Sequence, residues 1–263
     1  MNHNELLQLS DLNLAESYRE ISRWNSNTDM AEQGDILFVS GAGTFPAINF
    51  VTRVGNKPRS SPDMLITRAK EFFSARKRSF SIVVRAHLDK DLLDTCKELE
   101  LYQVSNAPGM VIDNRLEAIH VPDGVRLEHV TTQAMAQDFA EVAALSFTTL
   151  GLPEDVGRSV FSDPSALLVP SIYAVVAYLD NKPASCALTL LSHGIGGIYY
   201  VGTIEAARGK GLAEHCTRAA GNAVFELGVR CVVLQASKYG EPVYTRMGYK
   251  EFTRYPWFIC PSR

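Results

Sequence analysis

The 263-residue sequence lacks any apolar run of about 18 residues, the length that a membrane-spanning helix requires. It has no excess of positive charge either, because its formal net charge is -3. Non-specific binding to nucleic acid needs a basic surface, so that class of function is excluded. The first residues, Met1–Glu5, are polar and lack the basic and then apolar order of a secretory leader. We therefore expect a cytoplasmic protein with neither nucleic acid nor membrane as a partner.

Cysteine is also scarce, and its distribution excludes two further classes. The five cysteines are scattered, odd in number and set among apolar residues. A disulfide framework or a metal site would need regular spacing or clustering with histidine. We expect buried thiols and no bound metal. The cysteines are Cys96, Cys186, Cys216, Cys231 and Cys260.

The C-terminal half contains a long amphipathic helix between strand-like runs. Apolar residues between Leu212 and Leu227 recur on one helical face, and Gly228 provides a stop. Continuous apolar runs around this helix are typical of buried strands. Strands are predicted at residues 124–130, 172–179, 184–191, 198–203, 231–234 and from Tyr249 towards Phe258, with helices after Thr132, Pro153 and Glu241.

The N-terminal half repeats part of this order. Strands at residues 48–54 and 80–85 alternate with helices after Ser61 and over residues 88–99. An earlier amphipathic stretch spans residues 14–24. This similarity predicts two related modules. We place them at residues 1–115 and 120–263, with a linker within residues 113–124.

A glycine-rich turn lies directly before the long helix, at residues 208–213, and reads Arg-Gly-Lys-Gly-Leu-Ala. Glycines there allow backbone N–H groups to face a phosphate at the positive end of the helix. The corresponding N-terminal loop, residues 54–62, contains Pro58 and Pro62, which lack N–H groups and stiffen the turn. The sequence therefore predicts one anion site, in the second module, and a structural or substrate-shaping role for the first.

Two segments of the second module resemble the GCN5-related N-acetyltransferase (GNAT) family. Arg208, Gly211 and Ala213 match its core motif for acetyl-CoA, Arg-x-x-Gly-x-Ala. Residues 240–249 resemble its closing helix, with a tyrosine four residues before Gly-Tyr. The first half resembles the degenerate leading copy of tandem members. The resemblance implies an α/β (α+β) fold of two tandem GNAT-like modules, each a mixed twisted sheet flanked by helices.

The resemblance also implies a reaction, in which an acetyl group moves from acetyl-CoA to a primary amine by direct attack. The acceptor is a small molecule, an amino acid or a peptide amine, and the protein is a monomer or homodimer. Tyr244 takes the role of general acid, and Glu205 that of a base acting through water. The residues expected to bind acetyl-CoA are Val201, Gly202, Thr203, Arg208, Gly209, Lys210, Gly211, Leu212 and Ala213.

Other interpretations of these residues stay open. A non-catalytic protein that binds acyl-CoA would keep the same turn, and no general base is evident from sequence. A nucleotide site is disfavoured because a P-loop ending and an acidic ribose-binding residue are absent. Taken singly, Tyr244 is typical of a packed helix residue and Glu205 of a solvated loop carboxylate. Aromatic residues near the C-terminus close the core or line a substrate pocket; they are Tyr255, Trp257 and Phe258.

Overall fold

The computed structural model describes residues 1–260, so the last three residues of the predicted second module, 261–263, lie outside the described residues. Across residues 1–260 the chain forms eleven strands and seven α-helices. No helix in this range is long and apolar enough to cross a membrane. The strands are β1 (Asp29–Gln33), β2 (Ile36–Ser40), β3 (Asn49–Arg53), β4 (Phe80–Val83), β5 (Tyr102–Ile112), β6 (Val125–His129), β7 (Ile172–Leu179), β8 (Lys182–Ser192), β9 (Ile195–Thr203), β10 (Val232–Gln235) and β11 (Lys250–Cys260). The helices are α1 (His3–Arg23), α2 (Pro62–Ser74), α3 (Lys90–Glu98), α4 (Gln133–Phe147), α5 (Glu154–Val160), α6 (Leu212–Phe225) and α7 (Glu241–Met247).

Side-chain caps fix the starts of three long helices. Asn2 accepts from the N–H of Glu5 at 2.8 Å before α1. Ser61 and Thr132 cap α2 and α4 in the same way, at 3.2 and 3.3 Å. Each cap satisfies an N–H that the first helical turn leaves without an internal partner. The starts predicted for α2 and α4 are confirmed.

All eleven strands described within residues 1–260 belong to one sheet, in the order β1-β2-β3-β4-β11-β5-β10-β9-β8-β7-β6. Neighbours are antiparallel except for β3 with β4 and β9 with β10. Helix α2 connects the first parallel pair and α6 connects the second. The order is symmetric about its centre, because β1 to β4 on one side correspond to β7 to β10 on the other. The topology thus contains the same unit twice.

The two halves exchange strands at the centre of the sheet. Strand β5, from the first half, pairs with β10. Strand β11, from the end of the chain, pairs with both β4 and β5. The sheet is therefore continuous across the predicted boundary at residues 115–120, and the two-domain division stays a prediction.

Helix α1 crosses from the first half onto the sheet of the second. The Asn13 side-chain amide donates to the Leu190 carbonyl at 3.2 Å, and the Tyr199 hydroxyl donates to Asn13 Oδ1 at 2.8 Å. A side chain at Gly197 would collide with Asn13. These contacts fix α1 beside β9, so part of the first half becomes a wall of the space above β9.

All five cysteines are buried, which confirms their interpretation as buried thiols. Burial raises the pKa of the Cys231 thiol to about 11, so it stays protonated at neutral pH. His215 is also buried on α6, where burial lowers its pKa. These residues act as packing groups of the core.

Candidate active site

The sheet opens where β9 and β10 separate. Their pairing covers only three residues, Gly196 to Ile198 against Val232 to Leu234. Beyond this point β9 continues over residues 199–203, and within the described chain no strand pairs with that edge. Backbone groups on this edge are available to an extended ligand that adds to the sheet as a strand would.

A β-bulge lies in β9 at the same place. Pairing with β8 shifts by one residue between Leu188–Tyr199 and Cys186–Gly202. Tyr200 has φ +51°, a left-handed conformation that is rare for a bulky side chain in a strand. Bulges redirect a strand and are frequent beside active sites. The bulge therefore changes the course of β9 at the point where the sheet opens.

The start of α6 is the predicted glycine-rich turn, and its N–H groups have no partner. Gly209 and Gly211 adopt φ of +76° and +74°, and the first helical bond runs from His215 N–H to the Gly211 carbonyl at 3.2 Å. Among residues 1–260, no acceptor pairs with the N–H groups of residues 209–214. Unlike α1, α2 and α4, this helix has no side-chain cap. Bare N–H groups at the positive end of a helix are suited to an anion, so the predicted anion site stays a candidate.

The open edge and the helix start line one cleft of about 660 Å³. Most predicted binding residues and Tyr244 lie in its wall, whereas Glu205 and Lys210 are exposed and do not line it. The cleft also includes residues that the sequence analysis missed, from the end of α4 and the loop before α7. Its predicted lining residues are Val201, Gly202, Thr203, Arg208, Gly209, Gly211, Leu212, Ala213 and Tyr244, and its further polar ones are Ser146, Thr149, Glu214, Ser237, Tyr239 and Arg246.

Two arginines place positive charge at this cleft. Arg208 donates from Nε to the Thr203 carbonyl at 3.3 Å and from Nη2 to the Thr149 hydroxyl. Arg246 lies 3.7 Å from the Glu214 carboxylate. Both guanidinium groups favour an anionic ligand, but only Arg208 was predicted from the motif.

Packing between α4 and β9 requires a glycine at position 202. A Cβ at this position would lie 2.5 Å from the Cβ of Ser146 on α4. The missing side chain therefore allows α4 to approach β9. Gly202 also lines the cleft, and its expected contact with acetyl-CoA stays a prediction.

Tyr244 lies on α7 and is buried, with an exposed fraction of 8%. A side chain at Gly240 would contact its ring at 2.7 Å, so glycine there gives the ring its place. Burial raises the pKa of Tyr244 above its usual range. Its hydroxyl is therefore protonated at neutral pH and can act as a proton donor.

A second cavity, of about 440 Å³, adjoins the cleft. Its wall combines α1 and the segment 41–50 of the first half with β9, β10 and β11. Tyr255 and Phe258 are buried in the core, as the core interpretation predicted. Tyr255 and Trp257 also line this cavity, whose use as a substrate pocket stays a prediction. No metal-binding cluster of His, Cys, Asp or Glu occurs within residues 1–260. The two cavities share Phe147, Leu150, Val201, Ser237 and Tyr244.

Comparison with known proteins gives similarity in structure alone. No protein-family profile matches the sequence, and no curated protein matches it. A GCN5-related N-acetyltransferase from Kribbella flavida superimposes with a TM-score of 0.72 at 17% identity, over 94% of this chain and 93% of that one. A second, from Sphaerobacter thermophilus, has a TM-score of 0.61 at 18% identity, over 99% and 94%.

A tandem GNAT protein from the clavulanic acid biosynthesis pathway has a TM-score of 0.62 at 13% identity, over 98% of this chain and 94% of that one. These similarities extend over both halves of the chain. They confirm the GNAT fold that the sequence motifs implied.

Proposed function

We propose that the protein is an acetyl-CoA-dependent N-acetyltransferase that acts on a primary amine. The single observation that carries this proposal is the row of bare N–H groups at residues 209–214, which borders the same cleft as the open edge of β9. Three of the other helices satisfy the corresponding groups with their own side chains. A helix start left bare inside a cleft is suited to an anionic ligand.

The groups present fit coenzyme A. The N–H groups of residues 209–214 would hold its pyrophosphate, with Arg208 contributing charge at the rim. The free edge of β9 at residues 201–203 would pair with the amide-containing pantetheine arm. This arrangement would direct the thioester towards Tyr244, where the cleft meets the second cavity.

Tyr244 is proposed as the general acid. In the reaction, the amine nitrogen bonds to the acetyl carbon and loses one proton, which restores the acid, while the carbon–sulfur bond breaks and the departing sulfur gains a proton from that acid. A buried, protonated tyrosine is suited to supply that proton, an effect worth roughly 10²–10⁴-fold in rate. Glu205 is outside the cleft, so the proposal gives it no part as a base.

The test is titration with acetyl-CoA by calorimetry, followed by measurement of thiol release with a panel of amines. We expect binding, and release that depends on the amine. Tyr244→Phe should lower kcat by about 10²-fold or more and leave acetyl-CoA affinity nearly unchanged. Tyr102→Phe, at an exposed position of β5, is the matched control and should behave as wild type. Full activity of the Tyr244 variant would remove it from the acid role.

A second candidate is a protein that binds acyl-CoA without turning it over. It is favoured by one observation: among the described residues, no carboxylate or imidazole lines the second cavity, where an amine would await deprotonation. Binding of acetyl-CoA without thiol release for any amine would support this alternative.

A further inference from the structure

The second cavity contains no charged side chain. Its described wall is made of aliphatic, aromatic, hydroxyl and amide residues, and includes no Asp, Glu, Lys, Arg or His. Its volume of about 440 Å³ lies within the range of small-molecule sites, about 300–1,000 Å³. It meets the larger cleft, the one proposed to bind coenzyme A, at Tyr244. An acceptor in this cavity would therefore be placed to reach the thioester.

This lack of charge limits the acceptor. A buried ammonium needs a paired carboxylate, because an isolated charge is costly to remove from water. Glu20 lines a small neighbouring cavity of about 10 Å³. The two cavities share Ser17, Ile21, Tyr199 and Tyr200. Glu20 already accepts from Arg23 at 2.6 Å. An ammonium in the larger cavity would therefore have no free counter-ion.

The polarity of the wall gives a second constraint. The cavity is rich in rings, including Tyr18 and Phe50, whose centroids are 4.4 Å apart, and Trp257. The wall also contains neutral polar residues, among them Ser105, Gln235 and Ser237. Rings favour an aromatic guest, and a wall with neutral polar residues favours a guest that carries a neutral oxygen.

We propose that the acceptor is an aromatic amine, uncharged at neutral pH, which carries a neutral oxygen and binds in the second cavity between the two halves of the chain. This inference rests on the proposed acetyl transfer. It assigns to the first half the role of forming the acceptor site together with β9, β10 and β11.

The reaction balances without a basic residue in the cavity. The nitrogen of a neutral aromatic amine attacks the acetyl carbon, the carbon–sulfur bond breaks, and one proton moves overall from nitrogen to sulfur. An alkyl ammonium, with a pKa near 10.4 for a lysine-like amine, carries one proton more. That proton would need a base, which the described wall of the cavity does not contain.

The test compares aniline with benzylamine at pH 7, which differ by one methylene and by their protonation. We expect kcat/KM for aniline to exceed that for benzylamine by about tenfold or more, and 4-aminobenzamide to be preferred over the charged 4-aminobenzoate. Binding of acetyl-CoA with no acetylation of aniline, or with preference for benzylamine, overturns the acceptor proposal and leaves the coenzyme site standing. Failure to bind acetyl-CoA overturns the proposed function itself, and the acceptor proposal with it.

Two variants test whether the second cavity holds the acceptor. Ala107→Phe should fill part of the cavity and lower kcat/KM for aniline by about tenfold, with acetyl-CoA affinity within about twofold of wild type. Glu20→Gln should leave aniline acetylation unchanged. An unaltered rate in the Ala107 variant, or loss of activity in the Glu20 variant, contradicts the proposal.

Discussion

The segments β3–α2 and β9–α6 have the same topology, but they differ in how far their strands are paired and in whether side chains satisfy the N–H groups before the helix. In each, a strand leads through a loop into a helix that returns to a parallel neighbour. Strand β3 ends one residue after its pairing with β4, whereas β9 continues for five residues beyond its pairing with β10. In the first crossover the strand is paired with its parallel neighbour almost to its end. In the second, residues 199–203 of β9 extend beyond the pairing with β10.

In the N-terminal crossover, a carboxylate of the protein itself accepts hydrogen bonds from the loop before α2. The carboxylate of Asp35 accepts from the backbone N–H of Arg59 at 2.7 Å and from the N–H and hydroxyl of Ser60. Ser61 then caps α2. Side chains of the protein thus satisfy N–H groups near the start of this helix, whereas those at the start of α6 have no acceptor among the described residues.

In the first half, buried arginines also pair with carboxylates of the protein itself. Arg53 is fully buried and donates to both carboxylate oxygens of Asp91, at 2.7 and 2.9 Å, and to the Ser60 carbonyl. Arg85 is held by Asp89 and by Asp11 on α1. In the second half, Arg208 is exposed at the cleft. Within the same fold unit, the first copy pairs its buried arginines with carboxylates of the chain, and the second copy is the one proposed to bind a ligand.

The largest expected effect comes from breaking the internal network. Arg53→Met should lower the free energy of unfolding by about 1–3 kcal/mol, because the Ser60 carbonyl and Asp91 lose their donor while Asp89 keeps its pairing with Arg85. Acetyl-CoA affinity of the folded fraction should not change. Urea unfolding and calorimetry measure the two quantities. A loss of acetyl-CoA affinity at unchanged stability would reverse the assignment of the two halves.

The glycine turns provide a matched pair. Gly211→Val and Gly55→Val both place a side chain at a left-handed φ, +74° and +80°, with no neighbouring atom within 4 Å. Each should cost about 1–2 kcal/mol of stability from backbone strain. Only Gly211→Val should weaken acetyl-CoA binding, by about tenfold to a hundredfold, because it displaces N–H groups that bond to charged oxygens. Equal binding by both variants would refute the assignment of the turn before α6.

The sequence predicts α6 and its turn accurately because their signals are local. Apolar residues at helical spacing locate α6, and two glycines mark the left-handed positions before it. The hairpin of β1 and β2 was not predicted, since β1 is polar and largely exposed. The exchange of β5 and β11 was not predicted either, because strand pairing between residues far apart leaves no mark on local pattern.

At the candidate site, too, prediction succeeded where the signal was local in sequence. The cleft residues that match the core motif were found. Ser146 lies outside both matched segments and was missed, and Arg246 lies within residues 240–249 but was given no role. Glu205 is adjacent to the motif in sequence, but the short 3-10 turn at Glu205–Ala207 leaves it exposed. The second cavity could not be predicted, since its wall joins α1 to strands at the other end of the chain.

A smaller effect is expected for Arg208. Arg208→Gln should weaken acetyl-CoA binding by about twofold to fivefold, in keeping with about 0.5–1 kcal/mol for an exposed charge pair. Stability should be unaffected, in contrast to Arg53→Met. Added salt should reduce the difference between variant and wild type, because exposed charges are screened. A salt-independent difference would contradict a direct charge contribution.

The smallest effect concerns pH. The hydrogen bond from Arg53 lowers the pKa of Asp91 below its usual value. Since the folded pKa is the lower one, this stabilisation is complete above the unfolded pKa of about 3.9 and is lost as pH falls through the folded pKa. Urea midpoints measured from pH 6 to pH 3 should fall less steeply for Asp91→Asn than for wild type. Parallel curves would show that the pair adds nothing to acid sensitivity.

The stoichiometry of acetyl-CoA binding tests the central claim most directly. We expect calorimetry to show one site per chain, abolished or strongly weakened in Gly211→Val and retained in Gly55→Val. Two equivalent sites per chain, or one site that survives in Gly211→Val and is lost in Gly55→Val, would contradict it.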